Sequence, residues 1–85
     1  MPFSVLDPED LLENGVFKEV AFLEKVEKFD WLQFENKLVL VRGCSSALMP
    51  PWAFMLITGK LAHLAKNVRF GNEHDNLVVF RKKKD

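Results

Sequence analysis

One cysteine and two histidines are the only thiol and imidazole side chains in this 85-residue sequence. Cys44 lies in Arg42-Gly43-Cys44-Ser45-Ser46, immediately after the apolar run Leu38-Val39-Leu40-Val41. α/β folds place ligands there, beyond the carboxyl end of a strand and before the next helix. A thiol near a helix N-terminus is biased toward thiolate, the form that attacks and that binds metal. Gly43, Cys44, Ser45 and Ser46 therefore form the candidate thiol or ligand loop. His74 sits in the polar stretch Gly71-Asn72-Glu73-His74-Asp75-Asn76 and is the second candidate metal ligand. Each residue also has a plain reading. Free cysteine is usually a small buried hydrophobe, and a histidine in a polar turn is usually solvated. Two ligands also fall short of the four that a stable zinc site needs, so Glu73, Asp75 or a second subunit would have to supply the rest.

Other chemistry is poorly supported. Residues 43–46 lack the glycine spacing of a phosphate-cradling loop or a nucleophile elbow. Glu9, Asp10 and Glu13 read as capping and solvated charge, so no acid–base pair stands out and no catalytic residue is assigned. His63 suits the negative end of the preceding helix.

Strands and helices must position that loop. Residues 38–41 are four consecutive apolar residues, two of them β-branched, which suits a central strand buried on both faces. Pro50-Pro51 then opens the main helix, because proline in the first turn forfeits no hydrogen bond. Residues 52–57 are apolar nearly all round, so this half of the helix is expected to be buried. Leu61, Leu64 and Ala65 continue one face. Gly59 costs up to about 1 kcal/mol against alanine inside a helix, so something is expected to pack closely against it. Val68-Arg69-Phe70 and Leu77-Val78-Val79-Phe80 read as an antiparallel hairpin across the six-residue polar link.

Upstream, residues 3–6 are a short edge strand. Asp7-Pro8-Glu9-Asp10 starts a helix, with Asp7 as cap, and Asn14-Gly15 is expected to close it at a left-handed C-cap. Phe22, Val26 and Phe29 recur at helical spacing within residues 18–29, and Glu24 and Lys28 form a favourable i,i+4 pair. Residues 30–36 (DWLQFEN) should lie against the core. Two strand-like runs separated by a helix are expected to pair in parallel. The fold class is α/β: a small three- to four-stranded mixed sheet with a central β-α-β unit, a C-terminal antiparallel hairpin and packed helices.

Composition sets the outer bounds. Residues 1–85 make one domain, small but with 48% apolar residues and eight phenylalanines to build a core. Twelve acidic side chains balance twelve basic ones, which gives no global attraction to nucleic acid or an anionic membrane. The basic tail Arg81-Lys82-Lys83-Lys84 reads as a solubilising end. A lone cysteine makes no internal disulfide and fits a reducing cytoplasm. The apolar run 48–57 is too short to cross a bilayer, and Met1-Pro2-Phe3 lacks the start of a signal peptide.

Several of these segments resemble one family. Asp30-Trp31, Arg42-Gly43-Cys44-Ser45, Pro50-Pro51-Trp52-Ala53-Phe54-Met55-Leu56, Phe70-Gly71 and Val79-Phe80-Arg81-Lys82-Lys83 are similar to the bacterial domain of unknown function 2480, from about Val5 to the end. The resemblance implies a longer chain of two related strand–helix–strand units, of which one is matched here, and no established activity. It also implies a loose association with iron–sulfur cluster assembly. Where that family's C-terminal unit has a second cysteine after Phe-Gly, this sequence has His74, which keeps metal chemistry open.

The leading expectation is a cytoplasmic binding or assembly module that forms a homodimer, with room for a further protein partner. A single unit would leave the faces of its missing tandem partner uncovered. Eight Phe and two Trp are also more large apolar surface than so small a core hides easily. That reading needs no cofactor, nucleic acid or membrane. The alternatives are a metal or iron–sulfur accessory protein using Cys44 with His74, and a thiol-dependent enzyme.

Overall fold

The computed structural model describes residues 3–43 and 49–83. Its strands are β1 (Ser4–Leu6), β2 (Leu38–Arg42), β3 (Asn67–Gly71) and β4 (Asn76–Arg81), joined in one sheet in the order β1-β2-β3-β4. β1 and β3 both run parallel to β2, and β4 returns antiparallel to β3. Two helices, α1 (Glu19–Lys28) and α2 (Pro51–Ala62), occupy the two parallel connections. This is the α/β mixed sheet with the central β-α-β unit and closing hairpin that the apolar runs and their separations predict.

One cluster holds the layers together. Val39 and Val41 point to the same side of β2 by strand alternation. They pack with Leu6 and Val68 of the flanking strands, Phe22 and Val26 of α1, and Ala53, Ile57 and Leu61 of α2. Burying a Leu, Ile, Val or Phe side chain is worth about 1.5–3 kcal/mol, so these few residues hold both helices to the sheet. The strand register places Val5, Leu40, Arg69 and Val78 on the opposite side as one rung. There the Arg69 guanidinium lies 5.7 Å from the Phe3 ring centroid, a cation–π arrangement.

Local chemistry sets the boundaries. Asp7 Oδ1 accepts the Glu9 amide at 3.0 Å, and Pro8 starts a single 3-10 turn, Pro8–Leu11. The Asn14-Gly15 pair does not cap that turn. Both residues are left-handed, φ 52° and 74°, and form a tight reversal in which Glu13 and Val16 exchange backbone hydrogen bonds. Two consecutive positive φ angles define the reversal favoured by Asn-Gly, and its chemistry prevailed over the C-cap reading. The link after α1 folds as a second 3-10 turn, Trp31–Phe34. Phe34 is buried and the Trp31 indole donates to the Val26 carbonyl at 2.9 Å. Aromatic edges join distant segments as well. Phe17, Phe22 and Trp52 lie with centroids 5.2–5.8 Å apart, tying the approach to α1 to the start of α2.

Two expectations about α2 are corrected. Its first half is not buried all round: Met55 is 73% exposed and Trp52 is partly exposed. Nor does any side chain of the described residues pack against Gly59, where an added Cβ would meet no neighbour within 4 Å. A helix lying on one sheet has only one side to bury. Ala53, Ile57 and Leu61 take that side, Phe54 and Leu56 pack partly against the core, and Trp52 and Met55 are left largely outside it.

Candidate functional site

β2 delivers Arg42 and Gly43 to the edge of the candidate loop; Cys44, Ser45 and Ser46 lie outside the described residues. Gly43 has a packing role of its own. Its amide donates to the Gly71 carbonyl at 2.9 Å, and a Cβ would fall 2.7 Å from the tip of the Phe70 ring. The missing side chain thus lets Phe70 lie over the end of β2, where it meets Phe54 of α2 edge to face at 5.2 Å.

His74 is on the turn between β3 and β4, exposed, in the polar setting its neighbours predict. The turn is built by Asn72, whose Oδ1 accepts the backbone amides of His74 and Asp75, both at 2.8 Å. Gly71 enters it at φ 141°, with the Asp75 carbonyl and Asn76 Cα crowding the position of a Cβ. Arg42 ties the turn to the rest of the chain. Its guanidinium donates to Glu73 Oε2 and lies 3.7 Å from Asp7 Oδ2. That hydrogen bond, more than the bare attraction, raises the Arg42 pKa and holds Glu73 below its ordinary value. One cation therefore gathers the start of the first 3-10 turn, the end of β2 and the β3–β4 turn. The partners are 31 residues apart in sequence, so only the register of the sheet reveals them.

The turn bearing His74 is thus held beside the end of the strand that leads into Cys44. Among the described residues, no three His, Cys, Asp or Glu side chains gather closely enough to hold a metal ion.

A different feature dominates the surface. An apolar groove of about 610 Å³ runs along α2, lined by Met49, Phe54 and Met55 together with Phe70 and Val79 of the hairpin. Its floor is low at Thr58, Gly59 and Ala62. The Thr58 hydroxyl donates to the Phe54 carbonyl at 2.9 Å, so the one polar group of that floor is already satisfied within the helix. A signal for the groove was present in the sequence. A helix apolar on all sides, resting on a single sheet, has to leave apolar surface uncovered.

The family model described as Protein of unknown function (DUF2480) matches residues 2–83. The chain belongs to this family. Searches of curated proteins and of solved structures gave no match. The family description names no activity, so the role of the groove and of the β2 end has to be argued from the side chains themselves. Among the described residues no helix is long and apolar enough to cross a membrane.

Proposed function

We propose that the chain is a binding or assembly module that acts as a homodimer, with the outer face of α2 as its contact surface. A single observation carries this: α2 presents a knob and a hole one turn apart. Met55 stands 73% exposed, and four residues on, Gly59 leaves open space, with no side chain of the described residues within 4 Å of where a Cβ would stand. Residues i and i+4 lie above one another on a helix. Across a two-fold axis, antiparallel α2 helices would place each Met55 over the partner subunit's Gly59. That reciprocal match is what an isologous interface requires, and the flexible methionine side chain adapts well to such a cavity.

Light scattering on the full chain tests it. The wild type is expected at twice its 9.8 kDa mass, and Gly59→Leu or Met55→Glu at the single mass with an unchanged circular dichroism spectrum. A wild type that is monomeric at micromolar concentration defeats the proposal.

The Arg42–Glu73 contact favours a second reading, a metal or iron–sulfur accessory role using Cys44 with His74. It is supported by the His74 turn being held to the end of β2, next in sequence to the thiol loop. Metal analysis of untagged protein decides it, since bound metal should vanish in Cys44→Ser and fall in His74→Ala.

A further inference from the structure

The two edges of the sheet are finished differently. β1 is three residues long and runs straight into Asp7-Pro8, which leaves little for another strand to join. β4 is the longest strand, six residues, and among the described residues it pairs only with β3. Its centre, Leu77-Val78-Val79-Phe80, holds no charge and no proline. Leu77 is 73% exposed, and Val78 and Val79 are exposed with it. The outward N–H and C=O groups of such a strand are a template for a further strand. The register of β4 against β3 shifts between Val68 and Arg69, and bulges of that kind help to guard edges. Against a copy of itself the bulge is no bar. Both strands carry the same extra residue, so their count still matches.

Charge indicates the occupant. The residues just before the apolar centre include two acids, Glu73 and Asp75, and those just after it are basic, Arg81, Lys82 and Lys83. Two copies of β4 laid antiparallel set the acidic side of each against the basic side of the other. Parallel copies would set like against like. A register centred on Val78 places Leu77 opposite the partner subunit's Val79, and Asp75 opposite the partner subunit's Arg81. Complementarity of this kind fixes orientation and register. Within one chain, Asp75 and Arg81 form no ion pair among the described residues. The apolar groove continues the same surface, since Met55 and Gly59 of α2 and Val79 of β4 line it together. A two-fold axis normal to the sheet beside β4 reverses strand and helix alike, so one axis serves both contacts.

We propose that β4 pairs antiparallel with β4 of a second copy of this chain, joining two four-stranded sheets into one. The inference rests on the homodimer reading above and adds the strand that sets its orientation.

Cysteine cross-linking of the full chain tests it, in a Cys44→Ser background that removes the native thiol. Val78→Cys should close a disulfide between copies under oxidised glutathione. Directly opposed residues of antiparallel strands stand about 4.5–5.5 Å apart at Cβ, near disulfide reach. Val16→Cys, also exposed but on the Glu13–Val16 reversal, should run as a single chain on a denaturing gel. Charge reversal is the second arm, read by sedimentation. Asp75→Arg and Arg81→Asp should each weaken the dimer about tenfold, because two contacts change per dimer. The double variant should regain wild-type affinity. A wild type that is monomeric at micromolar concentration overturns this inference and the homodimer reading together. A dimer that Met55→Glu dissociates, but that neither cross-links through Val78→Cys nor is rescued by the double variant, overturns the β4 contact alone. A dimer that Met55→Glu leaves intact and Val78→Cys cross-links supports the β4 contact and overturns the α2 one.

Discussion

The two helices perform the same task against the sheet and differ in what they show to water. α1 buries Phe22 and Val26 and turns Glu24, Lys25, Glu27 and Lys28 outward. α2 buries Ala53, Ile57 and Leu61 and turns outward Pro51, Met55 and Gly59. The inner faces account for the fold in both cases. The outer face of α1 is mostly charged, although Val20 and Leu23 are exposed on it, whereas that of α2 is mostly apolar. A surface that folding does not require, and that water does not favour, is where an interaction is best sought.

The sharpest way to break this contrast is to exchange the consequences of its inner and outer residues. Ile57→Ala removes a fully buried side chain and should cost about 2–5 kcal/mol of stability. Met55→Ala, two residues away, should leave the isolated monomer within about 0.5 kcal/mol of wild type. Urea unfolding of both, at protein concentrations low enough to hold the chain monomeric, measures the gap. Equal losses would mean that the outer face is as much core as the inner one.

Glycines extend the comparison. Gly71→Ala forces a side chain into a positive-φ position crowded by the backbone of Asp75 and Asn76, and should destabilise by about 1–3 kcal/mol. Gly59→Ala adds a methyl group to open space on α2 and should stabilise the monomer by up to about 1 kcal/mol through helix propensity. Opposite shifts in melting temperature are therefore expected. A Gly59→Ala protein that melts lower would show that the groove floor is occupied after all.

The smallest effect belongs to the polar contact at the C-terminal end of β2. Arg42 holds Glu73 below the ordinary carboxylate range, chiefly through its hydrogen bond. The folded state thus favours the Glu73 anion. The resulting stability is complete above the pKa of an unfolded glutamate, about 4.3, and is lost as pH falls through the lower folded value. Glu73→Gln should flatten that part of the acid-unfolding curve slightly and leave neutral-pH stability nearly unchanged, since both side chains are largely in water. Added salt should shrink the difference further.

Much of the architecture was legible because each segment's pattern agreed with its place. Leu38-Val39-Leu40-Val41 suited a central strand, Pro50-Pro51 marked the start of α2, and Phe22 and Val26 named the inner face of α1. Asn14-Gly15 misled because the same two residues serve both a helix C-cap and a tight reversal, and only the Glu13–Val16 pairing distinguishes them. Gly59 misled for another reason. A glycine costs the same in a helix whether it faces a close neighbour or an empty groove, so its sequence context carries no sign of which.

Local chemistry, written in the order of residues, determined the strands, the helices, their inner faces and the α/β class, because periodicity and capping act over a few neighbours. Only the tertiary structure decided that Arg42 meets Glu73 and that Phe70 lies over Gly43. Those contacts join residues far apart in the chain, and their geometry follows from strand order and register. No local preference encodes either one by itself.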